Sequence, residues 1–143
     1  MKDNKGITLI ALVITIIVLL ILAGITIAML SGPNGILTKA SDASVENALG
    51  SAKDKVAVLA ADAVADYYKD VYVTGTSAAA AYSSTTLDTK VKEAITTSTV
   101  GVDGVEVSWG TESNASMITL TYTKTSQTKT GTLDSGAITW DND

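Results

Sequence analysis

The run Ile7-Thr8-Leu9-Ile10-Ala11-Leu12-Val13-Ile14-Thr15-Ile16-Ile17-Val18-Leu19-Leu20-Ile21-Leu22-Ala23-Gly24-Ile25-Thr26-Ile27-Ala28-Met29-Leu30 decides the architecture of this chain. It holds 24 residues, 16 of them Leu, Ile or Val, and no charged residue occurs between Gly6 and Thr38. As a helix rising about 1.5 Å per residue it reaches roughly 36 Å, enough to cross a hydrocarbon core of about 30 Å. Each central Leu, Ile or Val favours the bilayer by about 0.3–0.6 kcal/mol, so the run carries an upper figure on the order of 5–10 kcal/mol for insertion. A cleaved secretory signal fits poorly. Its apolar region spans roughly 7–15 residues and ends in a small-residue site, and Met29-Leu30-Ser31-Gly32 is not one. With no Cys in the chain, lipid attachment at a lipoprotein cysteine is excluded.

On the N-terminal side stands a short polar leader, Met1-Lys2-Asp3-Asn4-Lys5-Gly6. Lys2 and Lys5 ahead of the apolar run favour an orientation with the N-terminus in the cytoplasm and the C-terminus outside.

The junction Lys5-Gly6-Ile7-Thr8-Leu9-Ile10 resembles the processing signal of type IV prepilins and type II secretion pseudopilins. The continuation through Ala23-Gly24-Ile25-Thr26-Ile27 and Ser31-Gly32-Pro33-Asn34-Gly35-Ile36-Leu37-Thr38-Lys39-Ala40 looks like the prepilin-like proteins of Firmicutes. The resemblance covers about the first 40 residues. It implies that a prepilin peptidase cuts after Gly6, that Ile7 becomes the N-methylated first residue of the mature chain, and that Ile7, Thr8, Leu9, Ile10, Ala11 and Leu12 begin a membrane and filament-core helix. It also implies self-association into a pilus or pseudopilus with the help of assembly machinery. The subunit is then a single-pass membrane protein before assembly and part of an extracellular filament on the cell surface after it. Two positions depart from the family pattern: Ala11 stands where a Glu is typical, and Ala28 where many pilins carry Pro. The alternative expectation is an uncleaved membrane anchor carrying an extracellular surface or binding domain. Processing after Gly6 separates the two.

Beyond the apolar run, Gly32, Pro33 and Gly35 fall within four positions and predict a break near 31–36, with Pro33 available as the first residue of a new helix. Gly24 is expected to interrupt the first helix as well. From about 36 to 72, Val45, Leu49, Ala52, Val56, Leu59, Ala63, Tyr67 and Val71 recur every three or four residues, the signature of one apolar helix face. A Gly/Ser/Thr/Ala connector follows at 73–84. A short helix is expected at about 86–97, with Thr85 and Asp88 at capping-box spacing and Leu87, Val91, Ala94 and Ile95 on its inner side.

After Gly101 the period changes to two. Val105, Val107 and Trp109 alternate with polar residues, as do Ile118, Leu120 and Tyr122, and Thr128–Asp134 and Ala137–Trp140 predict two more strands around a tight turn at Asp134-Ser135-Gly136. The expected fold class is therefore α+β and type IV pilin-like. A long hydrophobic helix, broken near 31–36, continues into an amphipathic helix packed on a small antiparallel sheet. The expected organisation is a leader at 1–6, a transmembrane or filament-core helix at 7–30, and a head at 31–143 with strands between about 104 and 140.

The chemistry on offer is sparse. The chain has no His, no Cys and no Arg, and its net charge is −5. It thus lacks the commonest general base and the residues favoured for metal binding and phosphate recognition. No catalytic site, metal, cofactor or nucleic-acid partner is expected. Asp62, Asp66 and Asp70 share a helix face but form no calcium loop, and a solvated charged face is the simpler reading. Trp109, Tyr122 and Trp140 read as packing residues, and Asn114-Ala115-Ser116 fits the glycan acceptor pattern in an expected hairpin loop.

Overall fold

The computed structural model describes residues 5–73 and 83–141. They form four helices, α1 (Lys5–Ser31), α2 (Ile36–Val73), α3 (Ser84–Ala94) and α4 (Thr97–Val100), and four strands, β1 (Val105–Trp109), β2 (Met117–Tyr122), β3 (Gln127–Asp134) and β4 (Ala137–Trp140). The connector at 73–84 and the leader residues 1–4 lie almost wholly outside the described residues. The chain is α+β, and two compact units divide between Ser44 and Val45.

In the first unit, α1 runs through Gly24 without interruption, contrary to the expectation of a break there. A lone glycine costs a helix about 1 kcal/mol, which a long apolar helix absorbs. The break falls at Gly32–Gly35. Gly35 N–H donates to Gly32 O at 2.7 Å, closing a four-residue turn with Pro33 at its second position, where the fixed φ of proline is suited. Pro33 therefore belongs to the turn rather than to the new helix. The next helical bond is Lys39 N–H to Gly35 O at 3.0 Å, and the Thr38 hydroxyl donates to Gly32 O at 3.1 Å. Gly35 itself is required, because a Cβ there would lie 2.6 Å from Leu30 O.

In the second unit, α2 buries Val45, Leu49, Ala52, Val56, Ala60, Ala63 and Tyr67. The steps are of four or three residues, which keeps one stripe inward along the helix. Ala60 takes the position expected of Leu59, which is half-buried beside the stripe together with Val71. Three alanines on the stripe let the helix lie close to the elements it covers.

The expected single short helix is two. α3 ends at Ala94 because Ile95 (φ −102°, ψ 97°) is extended, and Thr96 (φ −126°, ψ 165°) then caps α4. The run Thr96-Thr97-Ser98-Thr99 favours this, since Ser and Thr hydroxyls compete for backbone groups. The capping box sits here and not at Thr85/Asp88: Thr99 N–H donates to Thr96 Oγ1 at 3.2 Å, and Thr96 N–H to Thr99 Oγ1 at 2.8 Å. The N-cap of α3 is Ser83, whose side chain makes no capping bond.

The four strands form an antiparallel meander in the order β1-β2-β3-β4. Val105, Ile118, Leu120, Tyr122 and Leu133 face the core with Leu87, Val91, Ile95 and Val100. Ser135 (φ 51°) and Gly136 (φ 84°) make the two-residue turn between β3 and β4, the left-handed pair that suits strand twist.

Candidate functional site

The residues expected to act, Gly6 to Leu12, form the first turns of α1. Every residue from Gly6 to Ser31 is exposed, including Ile7 at 70%, Leu9 at 64%, Ile10 at 60% and Leu12 at 61%. An amphipathic core helix would hide one stripe; α1 hides none, and its apolar side chains stand on all sides. Two of its hydroxyls are spent internally. Thr15 Oγ1 donates to Leu12 O at 2.8 Å, and Thr26 Oγ1 to Leu22 O at 2.7 Å. Such back-bonding satisfies a hydroxyl within the helix and suits a medium that offers no partners. Among the described residues, then, one helix, near the N-terminus, is long and apolar enough to cross a membrane.

The junction Gly6–Ile7 lies in the first turn of this helix, where the initial N–H groups have no intrahelical acceptor. Ala11 is exposed on the next turn and brings no charge to the site.

The head's remaining candidates are held apart. Trp109 on β1 donates its Nε1–H to Ile95 O at 3.1 Å, with the Lys92 ammonium 5.8 Å from the ring centre. Trp140 on β4 lies across Gly131, where an added Cβ would be 2.9 Å from its Cε3, and Lys53 Nζ is 5.4 Å from its ring centre. Tyr122 on β2 covers Gly104 in the same manner. Each aromatic therefore closes over backbone or over a lysine stem, and none shares a cleft with another. Asp62, Asp66 and Asp70 are exposed on α2, and no cluster of three or more His, Cys, Asp or Glu able to hold a metal occurs among the described residues. Asn114 is exposed at the end of a single 3₁₀ turn, Glu112–Asn114, between β1 and β2.

Sequence reasoning missed three tethers that hold the head together. Lys55 Nζ donates to Gly101 O at 3.2 Å, at the C-terminus of α4. Ser83 N–H donates to Tyr67 Oη at 3.1 Å, joining the start of α3 to α2. Thr97 in α4 bonds both backbone groups of Val107: Val107 N–H donates to Thr97 Oγ1 at 2.9 Å, and the hydroxyl donates to Val107 O at 3.3 Å. Only the helix-forming and cap-forming character of these residues was readable locally; their partners lie 10–46 residues away.

No protein-family description, characterised protein or solved structure matches this chain.

Proposed function

We propose that the chain is a structural subunit of a type IV pilus or pseudopilus-like filament. It is held in the membrane by α1 with its N-terminus in the cytoplasm, cleaved between Gly6 and Ile7 by a prepilin peptidase, and methylated at Ile7. The observation that carries the reading is a helix apolar on every side that begins at a Lys-Gly junction. A bilayer and a filament interior are both apolar, so one helix surface serves the stored and the assembled state. The helix break at Gly32–Gly35 supports the same division of labour, since it separates the uncharged segment from a helix that carries Lys39, Asp42 and Glu46. The head adds an α+β body with a buried apolar core, as a packing subunit needs.

Gly6→Val tests the proposal, because a branched side chain before the scissile bond blocks a peptidase that requires glycine there. In cells with an active prepilin peptidase, the natural chain shortens and enters sheared surface filaments. The variant stays full-length and in the membrane. Equal length and equal membrane retention for both would favour the uncleaved anchor carrying a surface domain.

A further inference from the structure

The two edges of the sheet are finished differently. On β1, Val107 turns its N–H and C=O outward, and the Thr97 hydroxyl takes both; Val105 N–H is taken by Val102 O at 3.1 Å. On β4 the two-residue turn makes Asp134 and Ala137 a hydrogen-bonded pair. Antiparallel alternation makes Thr132 and Thr139 the next such pair, and Asp141 N–H donates to Thr130 O at 2.9 Å in the same phase. The N–H and C=O of Ile138 and Trp140 therefore point away from β3, out of the sheet. Among the described residues no backbone hydrogen bond engages them. Beside this edge runs a groove of about 440 Å³ lined by Ala57, Ala61 and Val64 of α2 and by Ile138 and Trp140. A bare edge with an apolar shelf beside it is shaped to receive one more strand.

We propose that the strand is β4 of a second copy, paired antiparallel about a two-fold axis through Thr139. In that register Ile138 of each copy exchanges backbone hydrogen bonds with Trp140 of the other. The second copy's Ile138 and Trp140 then fall on the inner face, over the groove, where exposed Ala57 and Ala61 leave room for them. On the outer face Thr139 meets Thr139, a favourable cross-strand pair. Asp141 raises no obstacle, because its carboxylate is held back on β3 by the Thr130 hydroxyl at 2.6 Å. Closure selects a second copy over a foreign peptide. Joining two β4 edges leaves only the β1 edges, where Thr97 already occupies Val107 and Trp109 alone keeps both outward backbone groups unengaged among the described residues, whereas an added peptide ends in a new bare edge. A two-fold contact closes on itself, so it pairs heads and does not extend a filament; it stands apart from the reading of α1.

The test is a single cysteine in the full chain, purified in detergent micelles. The natural chain has none, so no other disulfide competes. Thr139 and its symmetry mate form a non-hydrogen-bonded pair with Cβ atoms about 4.5–5.5 Å apart, close to the roughly 3.5–4.5 Å of a disulfide. T139C therefore gives a covalent dimer under mild oxidation. T132C, equally exposed one strand inward, is separated from its mate by three strand spacings, about 14 Å, and does not. Hydrogen exchange at the Ile138 and Trp140 amides slows with rising protein concentration. Equal cross-linking of both variants, or of neither, overturns the proposal. Protected Ile138 and Trp140 amides without a T139C dimer overturn it too.

Discussion

Gly136 N–H donates to Asp88 Oδ1 at 2.9 Å, a bond between residues 48 positions apart that fastens the β3–β4 turn to α3. The turn is wedged as well as bonded. A Cβ on Gly136 would lie 2.9 Å from Val64 Cγ2 and 3.0 Å from Leu87 Cδ2, and the residue has φ 84°. The last hairpin of the chain is thus locked onto both α2 and α3.

Gly136→Ala combines left-handed strain with a steric conflict and is expected to destabilise the head by about 1–3 kcal/mol. Asp88→Ala leaves a half-buried N–H without its acceptor and is expected to cost about 1–2 kcal/mol. Both are measured by chemical denaturation followed through Trp109 and Trp140. Wild-type midpoints for both variants would show that the tether does not hold the turn.

The Thr97 hydroxyl closes the edge of β1 at Val107. Thr97→Val keeps the shape and removes the hydroxyl, at an expected cost of about 0.5–1.5 kcal/mol. It also bares the edge, so the variant should aggregate faster on heating. Light scattering during a thermal ramp checks this; unchanged aggregation would mean that the hydroxyl does not protect the edge.

These features show where local pattern suffices and where it stops. The buried stripe of α2 and the two-residue hairpin were readable because each is set by neighbours a few residues away. Ala60 was not, since alanine carries little hydrophobic signal and Leu59 beside it carries more. Asp88 looked like half of a capping box because Thr85 stands at the right spacing, yet its carboxylate answers to Gly136. The Thr96–Thr99 run read as the end of a helix because the group that the Thr97 hydroxyl serves, Val107, lies ten residues away. At the candidate site the uncharged run of α1 was legible in full. What surrounds α1 was not, because every residue from Gly6 to Ser31 is exposed and local pattern names no neighbour for them.

The turn at Gly32–Gly35 depends on the missing side chain of Gly35, whose Cβ would meet Leu30 O at 2.6 Å and Gly32 O at 2.9 Å. Gly35→Ala should weaken the turn by about 1–3 kcal/mol. Hydrogen exchange at the Gly35 and Lys39 amides is expected to quicken relative to the middle of α1. Identical exchange would show that the break tolerates a side chain.

The proposed mature N-terminus raises an electrostatic problem, because a buried, unpaired ammonium costs several kcal/mol even after relaxation. Ala11 cannot neutralise the Ile7 amine. The Thr15 hydroxyl donates to Leu12 O and keeps oxygen lone pairs free to accept from a cation, as do the carbonyls of a neighbouring helix. On this account the natural chain solvates the amine without a carboxylate, and Ala11→Glu leaves filament length unchanged or reduces it. A large gain in length by electron microscopy would mean that Ala11 limits assembly and marks a minor subunit.

Processing between Gly6 and Ile7 and assembly through α1 are the two events proposed for this chain. Intact-mass measurement of the protein in sheared surface filaments from the native host tests them most directly. The expected mass is that of a chain that begins at Ile7 and is one methyl group heavier than its residues require. A mass that retains Met1–Gly6, or the absence of the chain from the filaments, would contradict the proposal.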